Sequence, residues 1–395
     1  MGSGFTGCGR AVLTALVLAA GGMMPAVSGA AEAPEFLAVL RAMGEPGSAT
    51  AIGIDASSPQ EALLARASGF LPAEISLTAT NMSDADFATI LGEDMRVNVD
   101  LVTQVRRLGR LAPGRRIGLR INPRCGHVND RVDDSILYGG EKPSKFGVYE
   151  EDFPAAVAAA AEHGLTIDTV HVHVFNGILN ADLPAVDRAL VRIAGCIQRL
   201  VDLGCPIEEI NIGGGIGVPW HPEDHRLDLN AWAVLLLRHL RAFDAVIACE
   251  PGEYASIQAG LLLAEVVTVE ERLGRLFAGL DVGWNVCPHR FVYGLDMEAI
   301  HCTRADEPPV RTVTFSGNIN EGPDLFVEDL PFPAVAEGDI VALYPAGAYT
   351  TTTYHPHCLR PPAKELYLGD RLPQAGIPEA PAPAARDEAA APKSA

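Results

Sequence analysis

Short strands alternate with helices along most of the chain, and this alternation constrains the fold more than any other feature. Seven β-rich runs lie between residues 49 and 252 with helical patterns between them, and a helix in EFLAVLRAMG precedes the first. Strands that are apolar along their whole length indicate a parallel sheet covered by helices on both faces. We therefore predict an α/β fold, a (β/α)8 TIM-like barrel whose first strand is missing or degenerate. A doubly wound open sheet is the alternative.

The pattern changes at about residue 265, which divides the chain of 395 residues. Runs such as EVVTVEERL, RTVTFSG and DIVALYPAG read as strands joined by glycine, proline and aspartate turns. We predict the barrel over residues 35–265 and a C-terminal, mostly antiparallel β domain over 266–370. A proline- and alanine-rich tail, 371–395, is predicted to be disordered.

The first 34 residues form a segment with more than one interpretation. An apolar run follows Arg10, and small residues precede Ala31, as in a signal peptide with its cleavage site. Against this, Arg10 is the only basic residue before the run, and the rest of the chain is typical of an intracellular enzyme. The run is also too short and too interrupted by glycine to span a membrane. A degenerate segment or a misassigned start are the alternatives, and we expect a cytoplasmic protein without membrane attachment.

The charge and the lysine content of the chain limit its chemistry. The sequence has 30 lysine and arginine residues against 50 aspartate and glutamate residues, a net charge of −20. Binding to a phosphate backbone needs clustered cations, so a nucleic-acid partner is excluded. Lysine occurs at positions 142, 145, 364 and 393 alone. Chemistry that depends on a lysine amine therefore has few candidates.

Three short motifs end three consecutive predicted strands: HVH at 171–173, GGG at 213–215 and EPG at 250–252. The carboxyl ends of parallel barrel strands meet on one face. Glycines let backbone N–H groups approach an anion closely, and a carboxylate can hold a protonated ring nitrogen. Together with an imidazole ring, these groups suit a flat, phosphorylated, nitrogen-containing cofactor.

Each motif also has a simpler interpretation. His171 and His173 share one strand face and could bind a metal, but no supporting ligands are spaced nearby and no metal site is predicted. Either histidine could be structural. The glycines could form an ordinary turn, and Glu250 could form a structural salt bridge. The order of the motifs on successive strands favours the cofactor site.

Earlier strands add Asp55, Glu61 and Arg120 as candidate site residues. A buried arginine needs a partner, and an anionic cofactor or Glu250 would serve. In the β domain, the loops GNINE and GAY follow strands and could complete the site of a partner subunit. Their simpler interpretation is β-turn chemistry.

These residues together resemble the alanine-racemase-like, fold type III pyridoxal-phosphate enzymes, and in particular the diaminopimelate, ornithine and arginine decarboxylases. The resemblance covers about residues 35 to 368. It implies pyridoxal 5′-phosphate as cofactor, an amino acid as the small-molecule substrate and a homodimer with shared active sites. The cofactor-binding residues that it implies are Asp55, Glu61, Arg120, His173, Asn176, Gly213, Gly214, Gly215, Glu250, Gly252 and Tyr349.

The resemblance also implies individual roles. In that family the second histidine of HxH stacks on the cofactor ring, which corresponds to His173, and the glutamate of EPG binds the ring nitrogen, which corresponds to Glu250. The tyrosine of GAY contacts the phosphate, which corresponds to Tyr349. Glu321 corresponds to the acid that recognises the distal amine of the substrate. The remaining implied substrate-binding residues are His289, Arg290 and Asp324.

The chain departs from the family pattern at four positions. Gly29 stands near the place of the lysine that binds the cofactor, and Glu253 replaces an arginine that binds the phosphate. Asn320 replaces a catalytic cysteine, and Asn176 replaces a serine. We expect Asn320 to occupy the catalytic position together with His173 and Glu250.

The function implied is the decarboxylation of an amino acid such as diaminopimelate or a related diamino acid. One alternative is a catalytically impaired homologue with a binding or regulatory role. Another is an amino-acid racemase on the same fold. The missing lysine favours the impaired homologue, because an amine is needed to bind the cofactor covalently. The β-domain motifs favour the decarboxylases over a racemase, and chiral analysis of the product would distinguish those two.

Overall fold

The computed structural model describes residues 13–16, 18–19, 52–128, 142–221 and 223–366. The helix predicted in EFLAVLRAMG, Gly29 and the predicted tail 371–395 lie outside these residues. Two compact regions follow one another along the chain, a parallel β/α region and a β region, each with its own apolar core.

Twelve of the described strands belong to the first region, and eight strand positions make its main sheet. The strands are β1 (Leu13–Leu16), β2 (Leu18–Ala19), β3 (Ile54–Ala56), β4 (Ile75–Thr78), β5 (Arg96–Val99), β6 (Arg116–Asn122), β7 (His127–Val128), β8 (Val148–Tyr149), β9 (Thr166–His171), β10 (Phe175–Asn176), β11 (Glu209–Asn211) and β12 (Val246–Cys249). The main sheet runs in the order β1-β12-β11-β9-β6-β5-β4-β3-β2, and its pairs are parallel. The short strands β7 and β10 pair with each other, and β8 pairs with β6.

One segment closes this sheet into a ring. Leu13 and Leu16 of β1 pair with Ile247 and Cys249 of the last strand, while Leu18 of β2 pairs with Ile54 of the next strand. Because the two ends of the sheet meet on one short segment, the fold is the predicted barrel and not an open sheet. Two short strands, β1 and β2, occupy the first strand position, and they lie upstream of Gly29.

Helices lie between the barrel strands: α1 (Pro59–Ala67), α2 (Asp84–Leu91), α3 (Val102–Leu111), α4 (Phe153–Glu162), α5 (Leu183–Asp202) and α6 (Leu229–Leu240). Local sequence explains where they begin. The Ser83 hydroxyl accepts a hydrogen bond of 3.1 Å from the Asp86 N–H, and the Asp86 carboxylate accepts one of 2.8 Å from the Ser83 N–H. This reciprocal cap satisfies donors that the first turn of a helix leaves unpaired.

The β domain is a six-stranded sheet that begins at Leu262, slightly before the predicted boundary. Its strands are β13 (Leu262–Arg272), β14 (Arg275–Leu280), β15 (Glu298–His301), β16 (Arg311–Ser316), β17 (Leu325–Phe332) and β18 (Ile340–Tyr344), in the order β15-β18-β13-β14-β16-β17. Its pairs are antiparallel except β14 with β16, which are parallel. Two short helices complete the molecule as described, α7 (Gly252–Ser256) after the barrel and α8 (His289–Tyr293) in the β domain.

The described helices include none that is long and apolar enough to cross a bilayer. The apolar run near the N-terminus contributes β1 and β2 to the barrel. This is the run whose composition resembles a signal peptide. The positions of those two strands favour a structural role for the run.

Candidate functional site

A buried carboxyl group stands at the carboxyl ends of three neighbouring barrel strands. Glu250 follows β12, and its Oε1 accepts a hydrogen bond of 2.6 Å from Asn211 Nδ2 at the end of β11. His171 ends β9, and its Nε2 lies 3.2 Å from the same oxygen. The three side chains are almost fully buried. The HxH, GGG and EPG motifs therefore meet on one face of the barrel, as the parallel topology predicts.

Burial controls the protonation of this group. Burial raises the pKa of Glu250 to about 7, and the hydrogen bond from Asn211 and the charge of Arg120 partly offset the effect. Burial, with Arg120 nearby, lowers the pKa of His171 to about 3, so this imidazole is neutral at physiological pH. A carboxyl with a pKa near 7 beside a neutral histidine can share a proton with a third group placed against it.

The glycine run is packed too closely for any side chain. A Cβ atom on Gly213 would come within 2.6 Å of the Val172 carbonyl oxygen, and one on Gly214 would clash with the Glu250 carbonyl oxygen. Gly213 and Gly215 also have positive φ values of 69° and 96°, which favour glycine. Glycine is required here because the backbone packs directly against neighbouring main-chain atoms. The N–H groups of Gly213 and Gly214 donate to Asn211 Oδ1 and His173 Nδ1, so binding of a phosphate by this run stays a prediction.

His173 is oriented by this glycine run. Its Nδ1 accepts a hydrogen bond of 3.1 Å from the Gly214 N–H, so the proton of the neutral ring is on Nε2. Burial, Arg120 and His171 lower the pKa of His173 to about 3. The ring is half-buried at the site, fixed in orientation and neutral. These properties suit a ring that stacks on a planar cofactor, while the stacking itself stays a prediction.

Arg120 on β6 has the partners that its burial requires. Its guanidinium lies 4.5 Å from the centre of the Phe146 ring. Its positive charge helps to lower the pKa values of Glu250, His171 and His173. Arg120 therefore acts electrostatically on these three groups, and direct contact with Glu250 or with an anionic cofactor stays a prediction.

Asp55 and Glu61 occupy different environments. The Asp55 carboxylate is buried in the barrel, where Oδ1 accepts a hydrogen bond of 2.8 Å from the Thr78 hydroxyl. Burial and then the charge of Glu250 raise its pKa well above the usual range. The Glu61 carboxylate instead accepts a hydrogen bond of 2.6 Å from the Ser57 N–H at the start of α1. This contact assigns Glu61 to the helix start, and cofactor contact by this residue stays a prediction.

Two other predicted cofactor residues lie next to these motifs. Asn176 is half-buried in β10, three residues after His173. Gly252 begins α7 and its N–H donates a hydrogen bond of 2.8 Å to the Glu250 carbonyl oxygen. Glu253, which stands in place of an arginine, is in the first turn of this helix. Burial raises the pKa of Glu253 to about 7, and a hydrogen bond from the Trp220 side chain partly offsets this rise.

The GAY loop of the β domain docks on the segment that follows Glu250. The Gly347 N–H donates a hydrogen bond of 2.7 Å to the Ile257 carbonyl oxygen. A Cβ atom on Gly347 would clash with the Ser256 carbonyl oxygen, so the loop approaches α7 as closely as a backbone can. Tyr349 follows with a positive φ of 52° and is half-buried. Tyr349 therefore lies two residues after the contact between the β domain and the segment that follows the barrel, and its contact with the cofactor stays a prediction.

His289 and Arg290 differ in their freedom to contact a substrate. His289 is buried where the two regions meet, with its ring 5.4 Å from that of Trp220 in the barrel. Burial lowers its pKa to about 4, although a hydrogen bond with the backbone of Ala348 acts to raise it. Arg290 is held by ion pairs of 2.5 Å to Asp296 and to Glu328 within the β domain. These ion pairs favour a structural role for Arg290.

The GNINE loop exposes two of the predicted residues and buries a third. Asn320 and Glu321 are exposed, and Glu321 Oε1 lies 3.1 Å from His357 Nε2. Asp324 is buried, and it accepts hydrogen bonds of 2.8 Å from the Trp284 N–H and 2.6 Å from the Ile319 N–H. The Asp324 carboxylate therefore orders the loop, and its predicted contact with the substrate stays a prediction.

Asn211 and Trp220 contact predicted site residues but were not themselves predicted from the sequence. The signal for Asn211 was present, because an amide at the end of a buried strand needs hydrogen-bond partners. It donates to Glu250 and its Oδ1 accepts a hydrogen bond of 2.9 Å from the Gly213 N–H, which links the carboxyl group to the glycine run. No group of three or more histidine, cysteine or acidic residues in the described ranges could hold a metal ion.

The residues present fit a pyridoxal phosphate. The observation is a neutral imidazole held in one orientation by the glycine run, on the barrel face that also carries a buried carboxyl group with a pKa near 7. A family model for "Pyridoxal-dependent decarboxylase, pyridoxal binding domain" matches residues 27–256. The chain belongs to this family. Its cofactor is pyridoxal phosphate.

Individual relatives of the chain also support its membership of the decarboxylase family. A diaminopimelate decarboxylase of Methanothermobacter thermautotrophicus is 34% identical over 349 residues, which is 86% of this chain and 79% of the relative. The diaminopimelate decarboxylase of Escherichia coli K12 is 29% identical and is matched over 83% of this chain and 80% of its own length. The crystal structure of a Helicobacter pylori diaminopimelate decarboxylase complexed with L-lysine aligns with a TM-score of 0.76 at 25% identity, covering 86% of this chain and 82% of that one.

Proposed function

We propose that the protein decarboxylates a diamino acid of the diaminopimelate type with pyridoxal 5′-phosphate bound at the carboxyl end of its barrel. The observation that carries the proposal is the buried Glu250 carboxyl, which Asn211 and His171 hold next to the glycine run. The diaminopimelate decarboxylases that resemble the chain over more than four fifths of its length support the substrate class.

The barrel residues would bind and orient the cofactor. When bound, the protonated pyridine ring supplies an electron sink for the substrate carbon that loses carbon dioxide. Glu250 would hold the proton at the ring nitrogen, since a carboxyl group with a pKa near 7 can pair with a pyridinium. His173 would lie against the ring face, and the backbone of residues 213–215 would accommodate the phosphate.

The β domain would contribute the substrate end of the site. Tyr349 is half-buried just after the loop contact at Gly347, whereas Asn320 and Glu321 are exposed. An exposed acid on a loop can reach the site of a second subunit, so we propose a homodimer in which Glu321 binds the distal ammonium of the substrate. Asn320 would face the same substrate and, as an amide, could position it without transferring a proton.

A direct experiment tests this function. Purified protein is mixed with pyridoxal 5′-phosphate, and cofactor binding is followed by absorbance while carbon dioxide release is measured with meso-diaminopimelate, ornithine, arginine and lysine. We expect release with diaminopimelate in excess over the other three. Absence of cofactor binding together with absence of release from every diamino acid would reject the proposal.

A second candidate is a catalytically impaired homologue that binds or regulates an active enzyme. Two observations favour it: no lysine precedes Lys142, and Glu253 stands half-buried where a cation would bind phosphate. Cofactor binding without turnover, together with co-purification of an intact homologue, would support this candidate. Chiral analysis of any product distinguishes both from a racemase. We propose a cytoplasmic location for each case.

A further inference from the structure

The segment 174–182, which follows the HxH motif, is tied on one side to the loop that leaves β6. Its strand β10 pairs in parallel with β7, where Phe175 lies opposite His127. The His127 N–H also donates a hydrogen bond of 2.9 Å to the Val174 carbonyl oxygen. Asn176, a predicted cofactor residue, is the last residue of β10. The position of Asn176 therefore depends on the contact between β7 and β10.

On its other side, this segment lies against the glycine run. The Ile178 N–H donates a hydrogen bond of 2.9 Å to the Gly215 carbonyl oxygen, and the Gly217 N–H donates one of 3.0 Å to the Ile178 carbonyl oxygen. A Cβ atom on Gly215 would clash with the Phe175 carbonyl oxygen, so the two backbones are in direct contact. A shift of the segment would therefore displace the end of the glycine run.

That end of the run carries main-chain donors that the protein does not use. The N–H groups of the first two glycines donate to side chains of the protein. Within the part of the chain that the structure describes, the N–H groups of Gly215 and Ile216 donate to no acceptor. Neighbouring main-chain N–H groups of this kind can bind an anion such as a phosphate. The proposed phosphate position therefore adjoins the segment after the HxH motif.

A histidine–aspartate hydrogen bond holds the far end of the segment. His127 Nε2 lies 2.7 Å from Asp182 Oδ1, and Asp182 Oδ2 accepts a hydrogen bond of 2.7 Å from the Leu179 N–H. The His127 and Asp182 side chains are 22% and 13% exposed, so water has little access to the pair. Because a carboxylate only accepts hydrogen bonds, the imidazole donates from Nε2. His127 therefore holds the segment twice, with its main chain at Val174 and with its side chain at Asp182.

We propose that His127 is a positioning residue for the phosphate end of the cofactor site. Its two hydrogen bonds hold the segment against the glycine run, and this contact fixes the N–H groups of Gly215 and Ile216 together with the side chain of Asn176. The inference rests on the proposed function and adds to it a residue that acts without contacting the cofactor.

This arrangement predicts a selective effect on ligand binding. Loss of the His127 side chain would act on the glycine run and on Asn176. Glu250, the proposed partner of the ring nitrogen, is instead held by side chains of two other strands. Removing the imidazole should therefore weaken binding of the phosphate group and leave binding of the ring unchanged. A general loss of stability would weaken both.

A second histidine–aspartate pair provides a matched control. His239 Nε2 on α6 lies 2.7 Å from Asp187 Oδ1 on α5, the same distance as in the pair of His127 and Asp182. The His239 side chain is 16% exposed, close to the value for His127. This pair joins two helices outside the barrel strands, so its loss should affect stability without affecting the cofactor site.

The test compares two ligands that differ only in the phosphate, 4′-deoxypyridoxine 5′-phosphate and 4′-deoxypyridoxine. Neither has an aldehyde, so covalent attachment plays no part in their binding. Their dissociation constants are measured by thermal shift for the full chain and its variants. We expect His127→Ala to bind the phosphorylated ligand about tenfold more weakly, with unchanged binding of the unphosphorylated ligand. His239→Ala should bind both ligands as the wild type does.

Two further variants isolate the hydrogen bond to Asp182. The amide nitrogen of His127→Gln can take the place of Nε2, so this variant should recover most of the affinity for the phosphorylated ligand. The shorter amide of His127→Asn ends near the place of Nδ1 and should not recover it. If His127→Ala does not fold, these two variants make the comparison.

The outcomes separate this inference from the proposed function. Wild-type protein that binds neither ligand would reject the proposed function and this inference with it. If the wild type binds the phosphorylated ligand, an unchanged affinity in His127→Ala, equal losses for the two ligands, or an equal loss in His239→Ala would overturn the role of His127 and leave the cofactor site intact. Equal affinities in His127→Gln and His127→Asn would overturn it as well.

Discussion

Asn211 Nδ2 donates a hydrogen bond of 2.6 Å to Glu250 Oε1 between neighbouring barrel strands. The same asparagine accepts a hydrogen bond from the Gly213 N–H, so one side chain fixes both the carboxyl group and the glycine run. The distance between the proposed ring-nitrogen site and the proposed phosphate site is therefore set by Asn211.

Replacing Glu250 with glutamine should reduce turnover more than cofactor affinity. Glutamine retains the shape of the side chain but cannot stabilise a protonated ring nitrogen, so we expect kcat to fall by about 10² to 10⁴-fold. Carbon dioxide release and cofactor titration measure the two effects separately. Glu208→Gln removes an exposed carboxylate near the opposite end of the barrel and should leave both unchanged. Equal losses in both variants would contradict the role of Glu250.

Asn211→Ala should shift the pH dependence of cofactor binding upward. The hydrogen bond from Asn211 lowers the pKa of Glu250, which is about 7 in its presence. Without the bond, the carboxyl group ionises at higher pH, and ionised Glu250 favours the protonated cofactor ring. Cofactor affinity measured between pH 5 and 9 should therefore show its midpoint at a higher pH in the variant. A midpoint at lower pH would contradict the assignment.

Gly214→Ala should disrupt the site, since the new methyl group would clash with the Glu250 carbonyl oxygen. We expect a loss of about 1–3 kcal/mol in the free energy of unfolding and a marked loss of cofactor affinity. Gly195→Ala is the matched control, because Gly195 lies within α5 with open space around it. That substitution should stabilise the protein by about 0.5–1 kcal/mol. Denaturant titration of both variants measures the difference.

Glu253→Gln should strengthen cofactor binding above neutral pH. The pKa of Glu253 is about 7, so at pH 8 the wild-type side chain is mostly negative and repels a phosphate bound nearby. We expect the variant to bind pyridoxal 5′-phosphate about threefold to tenfold more tightly at pH 8, a difference of about 1 kcal/mol. At pH 5.5 the difference should disappear. A gain independent of pH would show that charge is not its cause.

The same substitution should change how stability depends on pH without cofactor. Glu253 has a folded pKa of about 7, above the ordinary value of 4.5, so the folded state binds more protons than the unfolded state in this range. Wild-type stability should therefore fall relative to Glu253→Gln as pH rises from 4.5 to 7. The expected relative change is about 2–3 kcal/mol. Urea unfolding at pH 5 and pH 8 compares the two proteins, and a change of opposite sign would contradict the burial of Glu253.

Sequence patterns predicted the barrel and the meeting of HxH, GGG and EPG, because parallel strands must deliver their carboxyl ends to one face. The cap at Ser83 was equally readable, since its determinants lie within four residues. The sequence could not predict the partners of Arg290 and Asp324, because these partners lie on distant segments that only the folded β domain brings together. The first strand escaped prediction as well, since an apolar run of small residues is typical of both a buried strand and a signal peptide.

The four paired residues of β1 and β2 have a consequence for handling the protein. They occupy the seam of the barrel, so cutting them away would leave β12 and β3 with unsatisfied main-chain donors and acceptors along two open edges. Such edges recruit strands from other molecules. A recombinant version trimmed as though this run were a leader sequence should accumulate in inclusion bodies, whereas the untrimmed chain should remain monodisperse.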